Sequence, residues 1–408
     1  MDRIYAQSQL CIIAAAGASS NYGLPGVGHR ARTPQTRMSI GNINLVQQYF
    51  PSSMVLQSTW RSRGWTFQEG CLARRQLIFT DEEVIFLCRE MCKQESLFLD
   101  NTSDWEGERD GYEEQLLREV IPSLTKQDMH RADYTDISIQ NLLAEYTRRQ
   151  LSFDTDAINA FQGIFQALSV RHCWGMPFEH LPDEDETTIA LDWKSLQGGE
   201  RRESFPSWSW AGSRGESLFR KPSADSSICK IELSLAYGTW LTVKDYIESH
   251  TLHHDNKLGK LLRVTGCTSR PHFVDGRRLR KDLSRVPPLL EHEDGTQTFA
   301  ILKRSDNAGY WIYKIYMDLK PVRSEQLTHE LSNSMTMLVC RERGWNEGSH
   351  IILSPAGGHF RRIGLAVRFH ELTFTEKDLR WKLGGHKFLR RTDDEFKSSG
   401  MKRTIILE

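Results

Sequence analysis

Beyond about residue 204 the chain changes texture, and that change constrains its fold more than any single motif. Short apolar or alternating runs recur at Ser207 to Trp210, Ser234 to Val243, Leu261 to Thr265, Thr298 to Leu302, Ile312 to Met317, Thr336 to Val339, Ile351 to Leu353 and Ile363 to Phe369, with polar turns between them. Short runs bounded by turns read as strands, so a β-rich C-terminal region is predicted. The middle follows a different period. Ile139, Leu142, Leu143 and Tyr146 recur at helical spacing. Ala157, Ile158, Phe161, Ile164, Phe165 and Leu168 do so more strongly, with Asp154 as N-cap. Pro182 and the acids Asp183 to Glu186 start a third helix.

The N-terminal part mixes both periods. Asp2 to Gln9 reads as a short helix, Leu10 to Ala16 as a strand, and Gly17 to Thr36 as a loop rich in Gly, Pro and Arg. Arg63 to Arg74 looks helical, and Arg75 to Thr80 and Val84 to Cys88 read as strands joined at Asp81-Glu82. The expected class is α+β in three regions: 1–100, a helical 101–203 and a β-rich 204–408.

Charge and cysteine usage narrow the function. The 408 residues carry 53 Lys plus Arg and 53 Asp plus Glu, so no global charge favours nucleic acid or an acidic membrane. Leu10 to Ala16 mimics a short signal peptide, but Gln7, Ser8 and Gln9 interrupt the approach, and a buried strand explains it better. Nothing else nears the roughly 18 apolar residues a membrane span needs. The eight cysteines are scattered through a large chain, which is unlike a disulfide framework and points to reduced thiols in the cytoplasm. Cys88 and Cys92 lack a second Cys or His pair at zinc spacing, so no metal is expected there.

The segment Trp60 to Glu69 concentrates the chemistry. It holds two tryptophans, two arginines and a carboxylate at what reads as a helix start. Trp65 and Glu69 are four apart and share a face on a helix. Glu69 is either a tuned catalytic acid or a helix carboxylate paired with Arg63, Arg74 or another arginine. Trp65 is a core residue or a stacking platform. Gln68 orients a ligand or caps a backbone group. Gly23 to Gly28 lacks the spacing of a phosphate cradle and reads as a loop. No G-x-S-x-G elbow surrounds a serine. Trp208 and Trp210 alternate with Ser207 and Ser209 at strand period, with both indoles on one core face. His250, His253 and His254 near Asp255 read as a polar loop rather than a metal site, and Arg277 to Lys281 as a solvated basic face.

Several motifs together resemble a family. Met1 to Ala6, Cys11 to Gly17, Gly23 to Val27 and Arg63 to Glu69 resemble the C-terminal half of a fungal heterokaryon incompatibility (HET) domain. Phe153 to Ile164 and Pro206 to Gly212 look like the downstream helix and the recurring tryptophan motif of such proteins. The family's earlier Tyr-x-Trp-Gly-type and Asp-x-x-Cys-Ile-x-Gln-type motifs are not in this sequence, so an N-terminally truncated domain is expected, without the opening strands of its sheet. The HET domain is similar to the TIR domain, a flavodoxin-like α/β fold in which many members cleave NAD with a glutamate four residues after a tryptophan. By that resemblance Glu69 is the catalytic carboxylate, Trp65, Gln68 and Arg63 line the nucleotide site, and NAD is a substrate rather than a bound cofactor. The implied role is non-self recognition and programmed cell death, with an incompatibility partner protein, no nucleic acid or membrane partner, and homo-oligomerisation as in TIR-like enzymes. No coiled coil marks such assembly here. Because the front of the domain would supply much of the pocket, the competing expectations are a non-enzymatic scaffold of the same pathway and an inactive fragment.

Overall fold

The structure, a computed structural model, describes residues 2–95, 115–122, 124, 139–180, 187–219, 229–236, 238–249, 258–275, 298–303, 310–320, 331, 333–341, 348–374 and 401–408. The chain divides into two compact units, Met1–Arg171 and His172–Glu408.

Unit 1 opens with α1 (Asp2–Gln7) and β1 (Cys11–Ala14), then a hairpin of β2 (Arg37–Ile40) and β3 (Ile43–Val46). Three short helices follow, α2 (Pro51–Leu56), α3 (Thr59–Ser62) and α4 (Thr66–Leu72), and then strands β4 (Arg75–Phe79), β5 (Val84–Cys88) and β6 (Cys92–Gln94). The sheet runs β1-β4-β5-β6; β1 lies parallel to β4 and the other pairs are antiparallel. Ile78, Ile85 and Leu87 alternate inward at strand period and meet Ile13, Val55, Trp60, Leu117 and Ile121 in one core. Residues 115–120 are also helical, and α5 (Ile139–Thr147) and α6 (Gln162–Ala167) follow.

A second, aromatic core joins α4, α5 and α6. Phe67 stacks on Phe161 at 5.8 Å, Tyr146 tilts against Phe161 at 5.1 Å, and Phe165 meets Phe161 edge-on at 4.9 Å. This cluster explains why the expected long helix from Ala157 is broken. The Tyr146 hydroxyl donates to the Ala157 carbonyl at 2.7 Å, which takes that carbonyl out of a helical ladder. Residues Asp154–Asp156 instead form a 3₁₀ turn whose N-cap is Phe153, and the α-helix begins only at Gln162. The helix expected over Arg63 to Arg74 is present but shorter, as α4 over Thr66–Leu72, because the chain is extended at Arg63, where the separate helix α3 ends.

Unit 2 begins with small sheets of β7 (His172–Cys173), β8 (Met176–His180) and β9 (Thr187–Ile189), and of β10 (Lys194–Ser195) and β11 (Ser217–Leu218). The helix expected to start at Pro182 falls on 181–186, outside the described residues, as do the His250 and Arg277 clusters. The large sheet comprises β12 (Lys230–Leu235), β13 (Trp240–Thr242), β14 (Leu258–Ser269), β15 (His272–Asp275), β16 (Thr298–Lys303), β17 (Tyr310–Met317), β18 (Met335–Arg341), β19 (Gly348–Ala356), β20 (His359–Phe374) and β21 (Met401–Leu407), with helix α7 (Val243–Glu248) after β13. Its order is β13-β12-β14-β18-β19-β20-β17-β16-β15, and β21 pairs both β14 and β20. Strands β14, β18, β19, β20 and β21 thus join in a ring, whose β20–β21 link is the single pair Phe360–Leu407. Six of the eight predicted C-terminal runs lie within single strands of this sheet, and a seventh, Ser234 to Val243, runs from the end of β12 through β13 to the first residue of α7. The result is α+β with a β-rich C-terminal region.

The exception is Ser207 to Trp210. It is not a strand: the chain turns there and enters a 3₁₀ helix at Trp210–Gly212. Both indoles are buried as expected, but so are Ser207 and Ser209, so no two-face alternation exists. Trp193 Nε1 donates to the Trp208 carbonyl at 2.9 Å, Trp208 Nε1 to the Lys260 carbonyl at 2.9 Å, and Trp210 Nε1 to the Gly175 carbonyl at 2.7 Å. Three buried indoles with their N–H groups satisfied make this motif a structural peg. Beneath it, Arg362 donates to Asp318 Oδ2 at 2.9 Å, to the Leu191 carbonyl at 2.6 Å and to the Trp193 carbonyl, and lies 3.8 Å from the Trp193 ring centre.

Candidate functional site

Glu69 sits one turn into α4, half-buried, with a neutral donor on each oxygen. Tyr5 Oη of α1 donates to Oε1 at 3.2 Å, and Trp60 Nε1 of α3 donates to Oε2 at 3.0 Å. The short helices make this meeting possible. Ser58 caps α3 by accepting the Arg61 N–H at 3.0 Å, and the chain then reverses through Arg63 to Trp65, so Trp60 points back along α4. Cys11 of β1 also lies in the field of the carboxylate. Burial, then the Glu69 charge, pushes the Tyr5 phenol up to about 12 and the Cys11 thiol up to about 11. Both stay protonated at neutral pH, so Tyr5 is a standing donor.

Among the described residues no arginine or lysine pairs with Glu69. Arg63 and Arg74, the partners expected for a structural ion pair, are exposed and elsewhere. Arg63 ends α3, and its carbonyl accepts from Thr66 Oγ1 at 2.7 Å and Arg149 Nη1 at 3.3 Å. Arg61 pairs with Glu145 instead.

The indole beside Glu69 is thus Trp60, not Trp65. Trp65 is the N-cap residue of α4, and its Nε1 donates to Asp156 Oδ2 at 3.0 Å. Gln68 points to the aromatic core: it is buried, and its Nε2 donates to the Asn159 carbonyl at 3.3 Å. Gly163 leaves room for it, since a Cβ there would lie 2.1 Å from Gln68 Oε1. The structure therefore brings Glu69 together with Tyr5, Trp60 and Cys11, while Trp65 and Gln68 turn to Asp156 and Asn159 and the Arg63 carbonyl marks a second locus.

That second locus holds Arg149, which sequence reasoning missed. Its Nη1 donates to Thr66 Oγ1 at 3.2 Å, and its guanidinium lies 4.7 Å from the Phe67 ring centre. Burial, reinforced by Arg61, brings it down to about 9. No periodicity in the sequence places residue 149 against residue 66. Tyr5 and Cys11 had a signal, because they lie in the opening motifs.

The arrangement can present a carboxylate anion without a neutralising cation beside it. It has no grouped His, Cys, Asp or Glu ligands for a metal among the described residues. Residues 1–69 match the family described as Heterokaryon incompatibility protein (HET). The matched segment runs from α1 to Glu69, and the whole Tyr5–Trp60–Glu69 contact lies within it. No curated protein and no solved structure matches the chain.

Proposed function

We propose that this chain acts in fungal heterokaryon incompatibility, as a cytoplasmic protein of non-self recognition and programmed cell death, and that Glu69 serves NAD hydrolysis. The observation that carries the chemistry is the pair of neutral donors on Glu69. A guanidinium partner would cancel its charge, whereas an indole and a phenol orient the carboxylate and leave the charge in place. When the bond from nicotinamide nitrogen to C1′ breaks, the nitrogen keeps the electron pair and the ribose becomes oxocarbenium-like. A nearby anion stabilises that cation, and water then adds to C1′ and sheds a proton. Residues Trp65, Gln68 and Arg63 are proposed to shape the nucleotide side of the same segment.

The test is nicotinamide release by the purified full chain. Glu69→Gln keeps the shape and removes the charge, so turnover should fall by about 100-fold or more with an unchanged melting temperature. A second reading rests on the same contacts: both oxygens are occupied, so Glu69 ties α1 to α3 and α4 in a non-enzymatic scaffold that binds an incompatibility partner. That reading stands if no nicotinamide is released and Glu69→Ala lowers the melting temperature.

A further inference from the structure

The hairpin β2–β3 takes no part in either reading, and its surface is unusual. Its register opposes Met38 to Leu45 and Ile40 to Ile43, so those four side chains share one face. Arg37, Ser39, Asn44 and Val46 share the other. Met38 is 58% exposed, Ile40 59%, Ile43 63% and Leu45 48%. An isolated two-stranded hairpin is at best marginal in water unless something covers its apolar face. Gly41, at φ 60, makes the turn. The stem, by contrast, is fixed. Thr33 N donates to the Asp81 carbonyl at 2.8 Å, Arg32 pairs with Glu95, and Tyr49 is buried where the chain re-enters the unit. An anchored stem therefore presents an uncovered apolar face.

Charge and size select what covers it. From Arg3 to Gln68 the chain has no aspartate or glutamate. Arg37 at the open end of the hairpin and Arg30 beside the stem are exposed, and among the described residues no carboxylate pairs with either. A second copy fits poorly: four side chains fall far short of the roughly 20–30 residues a side of a stable interface. Stacking two copies also adds arginine to arginine with no acid in the segment to offset it. A flat anionic surface fits better. It covers one face, leaves Ser39 and Asn44 in water, and lets the long side chains of Arg37, at the hairpin's open end, and Arg30 reach back to headgroup level. We propose that β2–β3 is an interfacial anchor that lays its Met38, Ile40, Ile43 and Leu45 face into an anionic lipid bilayer. It rests on the membrane without spanning it, which revises the expectation of no membrane partner.

The experiment is flotation of the full chain with phosphatidylcholine vesicles, with and without phosphatidylserine, at low and at physiological salt. The wild type should float with the phosphatidylserine vesicles, less so at the higher salt, and not with phosphatidylcholine alone. Ile40→Ser/Ile43→Ser should lose about tenfold or more of the bound fraction with an unchanged circular dichroism spectrum. Arg37→Glu, which leaves the apolar face intact, should also weaken binding. Failure to float at low salt overturns the proposal, as does binding that both variants retain or that is equal on neutral vesicles. So does a solution dimer that Ile40→Ser/Ile43→Ser dissociates, since that would place a second copy on the face.

Discussion

Each unit buries an arginine against an aromatic ring, and the two are handled in opposite ways. In unit 2, Arg362 faces the carboxylate of Asp318, two main-chain carbonyls and the face of Trp193. Asp318 is itself buried, and desolvation raises its pKa against the pull of Arg362. In unit 1, among the described residues, Arg149 hydrogen-bonds to neutral acceptors, the Arg63 carbonyl and Thr66 Oγ1, with the like charge of Arg61 nearby and the Glu145 carboxylate, paired to Arg61, acting on it only through its field. Its Nε has no hydrogen-bond partner among the described residues. Unit 2 has a closed polar network, of the kind that fixes one packing. Unit 1 keeps a buried cation that, among the described residues, hydrogen-bonds to no carboxylate and feels Glu145 only through its field, and a few residues away a carboxylate, Glu69, with no cation paired to it. Charges left uncompensated in this way are common at functional sites, though structural networks can also produce them.

The sharpest way to break this contrast is to remove each guanidinium in turn. Arg362→Met strands the buried Asp318 carboxylate and should cost about 3–5 kcal/mol in urea unfolding. Arg149→Met strands no acid and replaces the stem with an apolar chain of similar length, so its cost should stay under about 1.5 kcal/mol. Equal losses would mean that Arg149 is as closed a structural element as Arg362.

A buried titratable group of unit 2 outside that network, His350, yields the next largest effect. His350 packs edge-on to Tyr313 at 5.1 Å, and neither ring nitrogen has a partner among the described residues. Burial lowers its pKa from 6.5 to about 3. Its folded pKa is depressed, so below 6.5 the unfolded chain binds a proton that the folded chain refuses. Stability is therefore unaffected above about pH 7 and falls as pH drops through the window from 6.5 toward 3. Between pH 7 and pH 5 the loss from this group should be about 2 kcal/mol. His350→Leu should flatten that part of the pH profile; a profile identical to wild type would show that the imidazole finds a proton acceptor on folding.

The two units also differ in how legible they were. The strands of unit 2 could be read because each apolar run is local and its period is fixed by the pleat. The exception, Ser207 to Trp210, mimics that period, but its indoles are pinned by the carbonyls of Lys260 and Gly175, which no local pattern announces. In unit 1 the Trp60 to Glu69 segment was recognisable as chemically unusual, and Glu69 as its acid. The four-residue spacing does hold, since Trp65 caps the helix that carries Glu69, but the Trp65 indole is taken by Asp156 and the indole that reaches Glu69 is Trp60, from the separate helix α3. Tyr5 comes from 64 residues away in sequence, and Arg149 from the chain just after α5, so neither contact leaves a trace in spacing.

The smallest expected effects separate the two donors on Glu69. Trp60 is almost wholly buried, so Trp60→Phe removes its N–H in a dry setting and should cost about 1 kcal/mol. Tyr5→Phe acts at a half-exposed phenol, where water replaces the lost donor, and should cost under about 0.5 kcal/mol. If Glu69 is only a tie between helices, its functional consequences end there. If it works as an oriented anion, either variant should lower nicotinamide release by more than its stability cost, because the free carboxylate can rotate away from the ribose. Comparing each variant's unfolding free energy with its turnover therefore asks whether unit 1 holds its charges as unit 2 does, for packing alone, or keeps one of them for use.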